Sequence, residues 1–104
     1  MYDFKHLAKT YKKTLTTYKI SIRRVKMGQN DGGDCQLLSK AKNHFRIRIN
    51  NKADDEAQMQ TLIHEIAHMI AWDDPDDHGQ KWGKAYAKSY KIFLDEFYPE
   101  DAEK

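Results

Sequence analysis

A chain of 104 residues with 39% hydrophobic residues fits one small domain with enough apolar side chains for a core and little to spare. Its one cysteine, Cys35, rules out an internal disulfide and any Cys-rich zinc ribbon, and no apolar stretch approaches the length of a membrane span. The net charge of +2 hides an asymmetry: residues 1–50 hold twelve Lys/Arg against three Asp/Glu, hence +9, and residues 51–104 hold six against thirteen, hence −7. A basic half can attract nucleic acid or an acidic protein. The solvated face of a helix and a sheet is favoured here, because no aromatic residues interleave with the charges as stacking platforms. The absence of a hydrophobic signal segment points to a cytoplasmic protein.

In chain order, Asp3 is placed to cap a first helix with an apolar stripe of Phe4, Leu7, Ala8, Tyr11 and Leu15. Residues 17–27 read as a strand. Tyr18, Ile20 and Ile22 alternate inward, Val25 and Met27 take the opposite parity, and the switch predicts a bulge or bend near Arg23-Arg24. Residues 28–34 form a turn by composition, without the spacing of a phosphate-binding loop. Residues 35–38 form a short strand with Cys35 as a small buried residue. Residues 44–50 then alternate cleanly, with Phe45, Ile47 and Ile49 inward and His44, Arg46 and Arg48 outward. That charged outer face suits a strand near a sheet edge, open to main-chain pairing with a peptide. His44 and His6 are placed at the surface.

Residues 51–56 supply capping groups and acids for the next helix, favourable to its dipole. Within it lies His64-Glu65-Ile66-Ala67-His68, an HExxH pattern. Residues i and i+4 of a helix stand on one face, so both imidazoles can reach one zinc ion, while Glu65 lies about 100° round and flanks the site. A histidine pair at this spacing can also be a polar stripe or two satisfied core histidines. Met59, Leu62, Ile63, Ile66 and Ile70 form one apolar face, and the histidines sit nearly opposite among Ala57, Thr61 and Ala71. That second face is itself too apolar to be a solvated one. Two covered histidines need partners, which a metal supplies.

The helix ends before Pro75. After an aspartate-rich loop comes His78-Gly79-Gln80-Lys81-Trp82, then a last helix with Trp82, Ala85, Tyr86, Tyr90, Phe93, Leu94 and Phe97 at helical spacing. A catalytic zinc takes three protein ligands and leaves one position open. His78 is the best third candidate, ten residues past His68 beyond a proline-broken loop, with Gly79 allowing close approach and Trp82 anchoring the new helix. Glu96 is a weaker candidate. The metzincin pattern is not met, since Ala71 and Asp74 stand where it needs glycine and histidine.

The run Thr61-Leu62-Ile63-His64-Glu65-Ile66-Ala67-His68 followed by His78-Gly79-Gln80-Lys81-Trp82 resembles the SprT-like metallopeptidases, the group that includes Spartan-type proteases. The resemblance is specific over residues 61–82. It implies a minimal single-domain member spanning residues 1–104, with zinc held by His64, His68 and His78 and with Glu65 catalytic. It also implies a zincin-like α+β fold: an N-terminal helix, a small three-stranded mainly antiparallel sheet, the HExxH helix and a C-terminal helix.

The chemistry expected is zinc-dependent endopeptidase hydrolysis of a protein or peptide, with Glu65 as general base and then general acid. Tyr86 and Tyr90 are possible oxyanion helpers, though both are more simply core aromatics. One alternative is a non-catalytic binding protein in which zinc pins the last helix, with Asp76 or Asp77 closing the shell. Another is a nucleic-acid-binding module using the basic half, which predicts affinity falling steeply with salt.

Overall fold

The polypeptide is described from a computed structural model over residues 3–73 and 79–99. The elements run α1 (Phe4–Thr14), β1 (Lys19–Val25), β2 (Gly33–Ser39), β3 (His44–Asn50), α2 (Asp55–Ile70) and α3 (Gln80–Phe97). The fold is α+β, three helices with one three-stranded sheet. Among the described residues no helix is long and apolar enough to cross a membrane.

The sheet departs from expectation in two ways. Its order is β1-β3-β2, with β1 parallel to β3 and β2 antiparallel to it, so the sheet is mixed rather than mainly antiparallel. Strand β3, expected near an edge, is central. The reason lies in its two faces. Phe45, Ile47 and Ile49 are buried on the helical side. On the other face Arg48 Nε donates to Asp34 Oδ1 at 3.0 Å and the Arg46 guanidinium bonds Gln36, both partners on β2. Among the described residues the arginines therefore mark the face of the sheet opposite the helices, where cross-strand pairs satisfy the charges. They do not mark an unpaired edge.

No bulge occurs at Arg23-Arg24. The β1–β3 register runs unbroken from Lys19↔His44 to Val25↔Asn50, and the one irregularity lies in β2 between Leu37 and Ser39. Met27 falls beyond the strand, so its parity says nothing about pairing. Strand β2 begins at Gly33, two residues earlier than expected. A Cβ there would meet the Arg48 carbonyl oxygen at 2.6 Å and Thr61 Cγ2 at 3.0 Å, so only glycine lets this strand pass between β3 and α2. The preceding turn is held by the buried Asn50, whose side-chain amide donates to the carbonyls of Gly28 (3.1 Å) and Asp31 (2.7 Å).

All three helices contribute to one core. From α1 come Phe4, Leu7 and Tyr11, with Leu15 just beyond; Asp3 caps the helix by accepting from the His6 amide at 2.8 Å. From α2 come Met59, Leu62, Ile63, Ile66 and Met69; from α3 come Phe93 and Phe97. Helix α2 packs against β2, β3, α1 and α3, so it is enclosed on most of its circumference. One polar network crosses the helical layer. The Tyr11 hydroxyl donates to the Ser89 carbonyl at 2.9 Å and lies 3.0 Å from Ser89 Oγ, which donates to the Ile63 carbonyl at 2.9 Å. Burial pushes the Tyr11 phenol well above its ordinary range.

Candidate metal centre

Helix α2 starts where its sequence requires. Asp54 adopts extended backbone as the N-cap and accepts from the Ala57 amide at 2.8 Å, and Asp55 and Glu56 occupy the positive end of the dipole. Three turns on, His64 and His68 project from one stripe of the helix. Both are half-buried. Their Nε2 atoms lie 3.0 Å apart and their rings 4.6 Å apart at 70°.

That separation is compatible with two chemistries. Two solvated imidazoles four residues apart have no reason to turn their Nε2 atoms on one another. Either one nitrogen donates a proton to the other, or both direct lone pairs at one cation. Two nitrogens each about 2.0–2.1 Å from a tetrahedral ion are roughly 3.3 Å apart, close to the distance here. A lone pair at Nε2 places the proton of each neutral ring on Nδ1.

Trp82 of α3 closes one side. Its ring centroid is 5.2 Å from that of His64 and 5.6 Å from that of His68. Tyr86 follows at 5.1 Å from Trp82, and Tyr90 stacks on Tyr86 at 6.1 Å. The expectation that the histidine face is covered by protein thus holds, and the cover is an indole. Tyr86 and Tyr90 belong to this aromatic ladder and pack against the core.

Glu65 is buried, 8% exposed, on α2, which packs against β2 and β3. Its neighbour there is Cys35 of β2: burial first, then the charges of Glu65 and Asp34, push that thiol up to about 12. Cys35 is half-buried, as a small strand residue.

Two sequence expectations fall differently. His78, with Asp76 and Asp77, lies outside the described residues. Among the described residues no group of three or more His, Cys, Asp or Glu is placed to hold a metal ion. Glu96 does not join the histidines: its carboxylate lies 2.9 Å from His6 Nε2 at the surface. It stands fourteen residues past Trp82 on α3, which is about 21 Å along the helix.

Sequence reasoning missed Ser89. It is fully buried and reaches the backbone of Ile63, the residue before His64. The available signal was its position, a small hydroxyl inside the stripe of Ala85, Tyr86, Tyr90 and Phe93.

No curated protein and no solved structure matches the chain. Residues 2–99 match the family model described as the SprT-like family, and this protein belongs to that family.

Proposed function

We propose that the protein is a zinc-dependent endopeptidase of the SprT-like family, with a zincin-like arrangement in which His64 and His68 hold the metal and Glu65 is the catalytic base. The single observation that carries this reading is the 3.0 Å approach of the two Nε2 atoms on a half-buried helical face, one residue from a buried carboxylate. Two neutral imidazoles are the right donor type for zinc, and His78 is proposed as the third. When bound there, zinc supplies Lewis acidity toward a water molecule and a peptide carbonyl.

The chain's own residues do the rest. The Glu65 carboxylate accepts the proton of the attacking water and returns it to the leaving amine nitrogen. Trp82 fixes the tilt of both imidazoles and keeps bulk water from one side of them. Among the described residues β2 is an edge strand. A polypeptide pairing with its free edge would run near Glu65, which neighbours Cys35 in the middle of that strand.

The test is metal titration with cobalt, followed by its visible absorption, on wild type and on His64→Ala, His68→Ala and His78→Ala. Each variant is expected to lose tight stoichiometric binding and peptide hydrolysis together. Tight binding retained by His78→Ala removes that residue as a ligand, and retained by His64→Ala or His68→Ala removes the site.

A further inference from the structure

Helix α3 carries different chemistry on its two flanks. Trp82, Tyr86 and Tyr90 line the flank that meets the histidines. At 100° per residue, Lys84 and Lys88 lie about 200° and 240° round from Trp82, and Lys81 lies beside them. Their spacing of three and four residues sets them in one row about 10 Å long.

All three lysines are exposed, and among the described residues none takes part in an ion pair or a hydrogen bond. Lys91, one turn further on, is by contrast held by Asp95 at 2.9 Å. The row borders a groove of about 390 Å³ between α3 and the end of α2, with Ile70, Ala71 and Ala85 as apolar lining. Asp73 is the one acidic residue among the described residues on its rim.

We infer that this groove is an exosite for an acidic segment of a protein substrate, on the far flank of α3 from the histidines. The inference rests on the peptidase reading for the word substrate, and on the groove alone for the acidic segment. Three unpaired cations in a row call for carboxylates, and an extended peptide of three or four residues spans the row. The apolar lining calls for an aliphatic side chain among those carboxylates. A phosphate strand carries charge at every unit and nothing aliphatic to fill the lining of Ile70, Ala71 and Ala85. An acidic peptide with interspersed aliphatic residues therefore fits the surface and a nucleic acid does not.

The test separates binding from turnover. In full-length, zinc-loaded Glu65→Gln protein, a labelled peptide rich in glutamate and leucine is expected to bind with salt-sensitive affinity. The same peptide with glutamine for glutamate, or the acidic peptide on a Lys84→Glu/Lys88→Glu variant, is expected to bind about ten-fold more weakly or worse. In the Glu65-containing enzyme the double variant is expected to raise KM for an acidic-tailed substrate, leaving kcat and the cleavage of a short neutral peptide unchanged. Equal binding of acidic and neutral peptides, or undiminished binding by the double variant, overturns the exosite. So does a single-stranded oligonucleotide that binds as tightly and is lost on the same double variant. Acidic-peptide binding that obeys these expectations in a protein with no hydrolytic activity leaves the acidic-segment site standing and removes the peptidase reading instead.

Discussion

Ser89 Oγ donates to the carbonyl of Ile63 at 2.9 Å, so a hydroxyl of α3 is fastened to the backbone immediately before the first histidine of the HExxH run. Tyr11 completes the link from α1. This contact fixes how α3 lies on α2, and with it the seat of Trp82 over His64 and His68, two turns from Ser89. Ser89→Ala is expected to destabilise the protein by about 1–2 kcal/mol, the usual cost of a lost buried hydrogen bond. Tyr11→Phe should cost a similar amount. Denaturant titration measures both, and an unchanged midpoint for either would mean the network is not holding the helices.

Two glycines should respond in opposite directions. Gly33→Ala forces a methyl within 2.6 Å of the Arg48 carbonyl oxygen, a backbone atom with no freedom to yield. A loss of about 2 kcal/mol or more is expected. Gly83 lies inside α3, and a Cβ added there would meet nothing within 4 Å. Gly83→Ala should gain about 0.5–1 kcal/mol through helix propensity. Thermal or denaturant unfolding of the two variants side by side checks the pair.

Alkaline pH should weaken the fold through Cys35. Its thiol, raised from 9.0 to about 12 by burial and then by the neighbouring Glu65 and Asp34 charges, keeps its proton in the folded state while the unfolded chain has lost it. The unfolded state then binds fewer protons, so stability is fully present below about pH 9 and falls as pH rises toward 12. Tyr11, also raised, pushes in the same direction. Cys35→Ala should flatten part of the slope of denaturation midpoint against pH. Alkylation of Cys35 in the folded protein should remain slow at pH 8, where an exposed thiol reacts readily.

At the acid end Asp34 sets the sign. Its hydrogen bonds from Arg48 hold its carboxyl below the ordinary carboxylate value. The stability it contributes is present above that ordinary value and lost as pH falls through the lowered one. Asp34→Asn should reduce the acid sensitivity of the midpoint, and an unchanged acid limb would show that the cross-strand pair is too solvated to matter.

Much of this arrangement is written in local pattern. The stripe of Phe4, Leu7, Tyr11 and Leu15, the caps Asp3 and Asp54, and the alternation of Phe45, Ile47 and Ile49 each express a period that one segment carries by itself. The placement of β3 at the centre was not legible, because Arg46 and Arg48 look alike on an edge and on the face of a sheet opposite its helices. What distinguishes the cases is Asp34 and Gln36 on another strand, a long-range pairing. The opposite parities of Ile22 and Val25 misled for a related reason, since strand pairing ends at Val25. At the site, the i, i+4 spacing sufficed to bring His64 and His68 together. The indole over them, and the closeness of Glu65 to Cys35, depend on how α3 and β2 pack against α2, which no single segment encodes.

The most direct measurement pairs zinc content with peptide hydrolysis in wild type and in Glu65→Gln. Both proteins are expected to hold one zinc per chain, and only the wild type to cleave. A Glu65→Gln variant that cleaves at the wild-type rate, or a wild type that binds no metal at all, would contradict the proposal that His64 and His68 hold the ion and that the buried carboxylate beside them moves the proton.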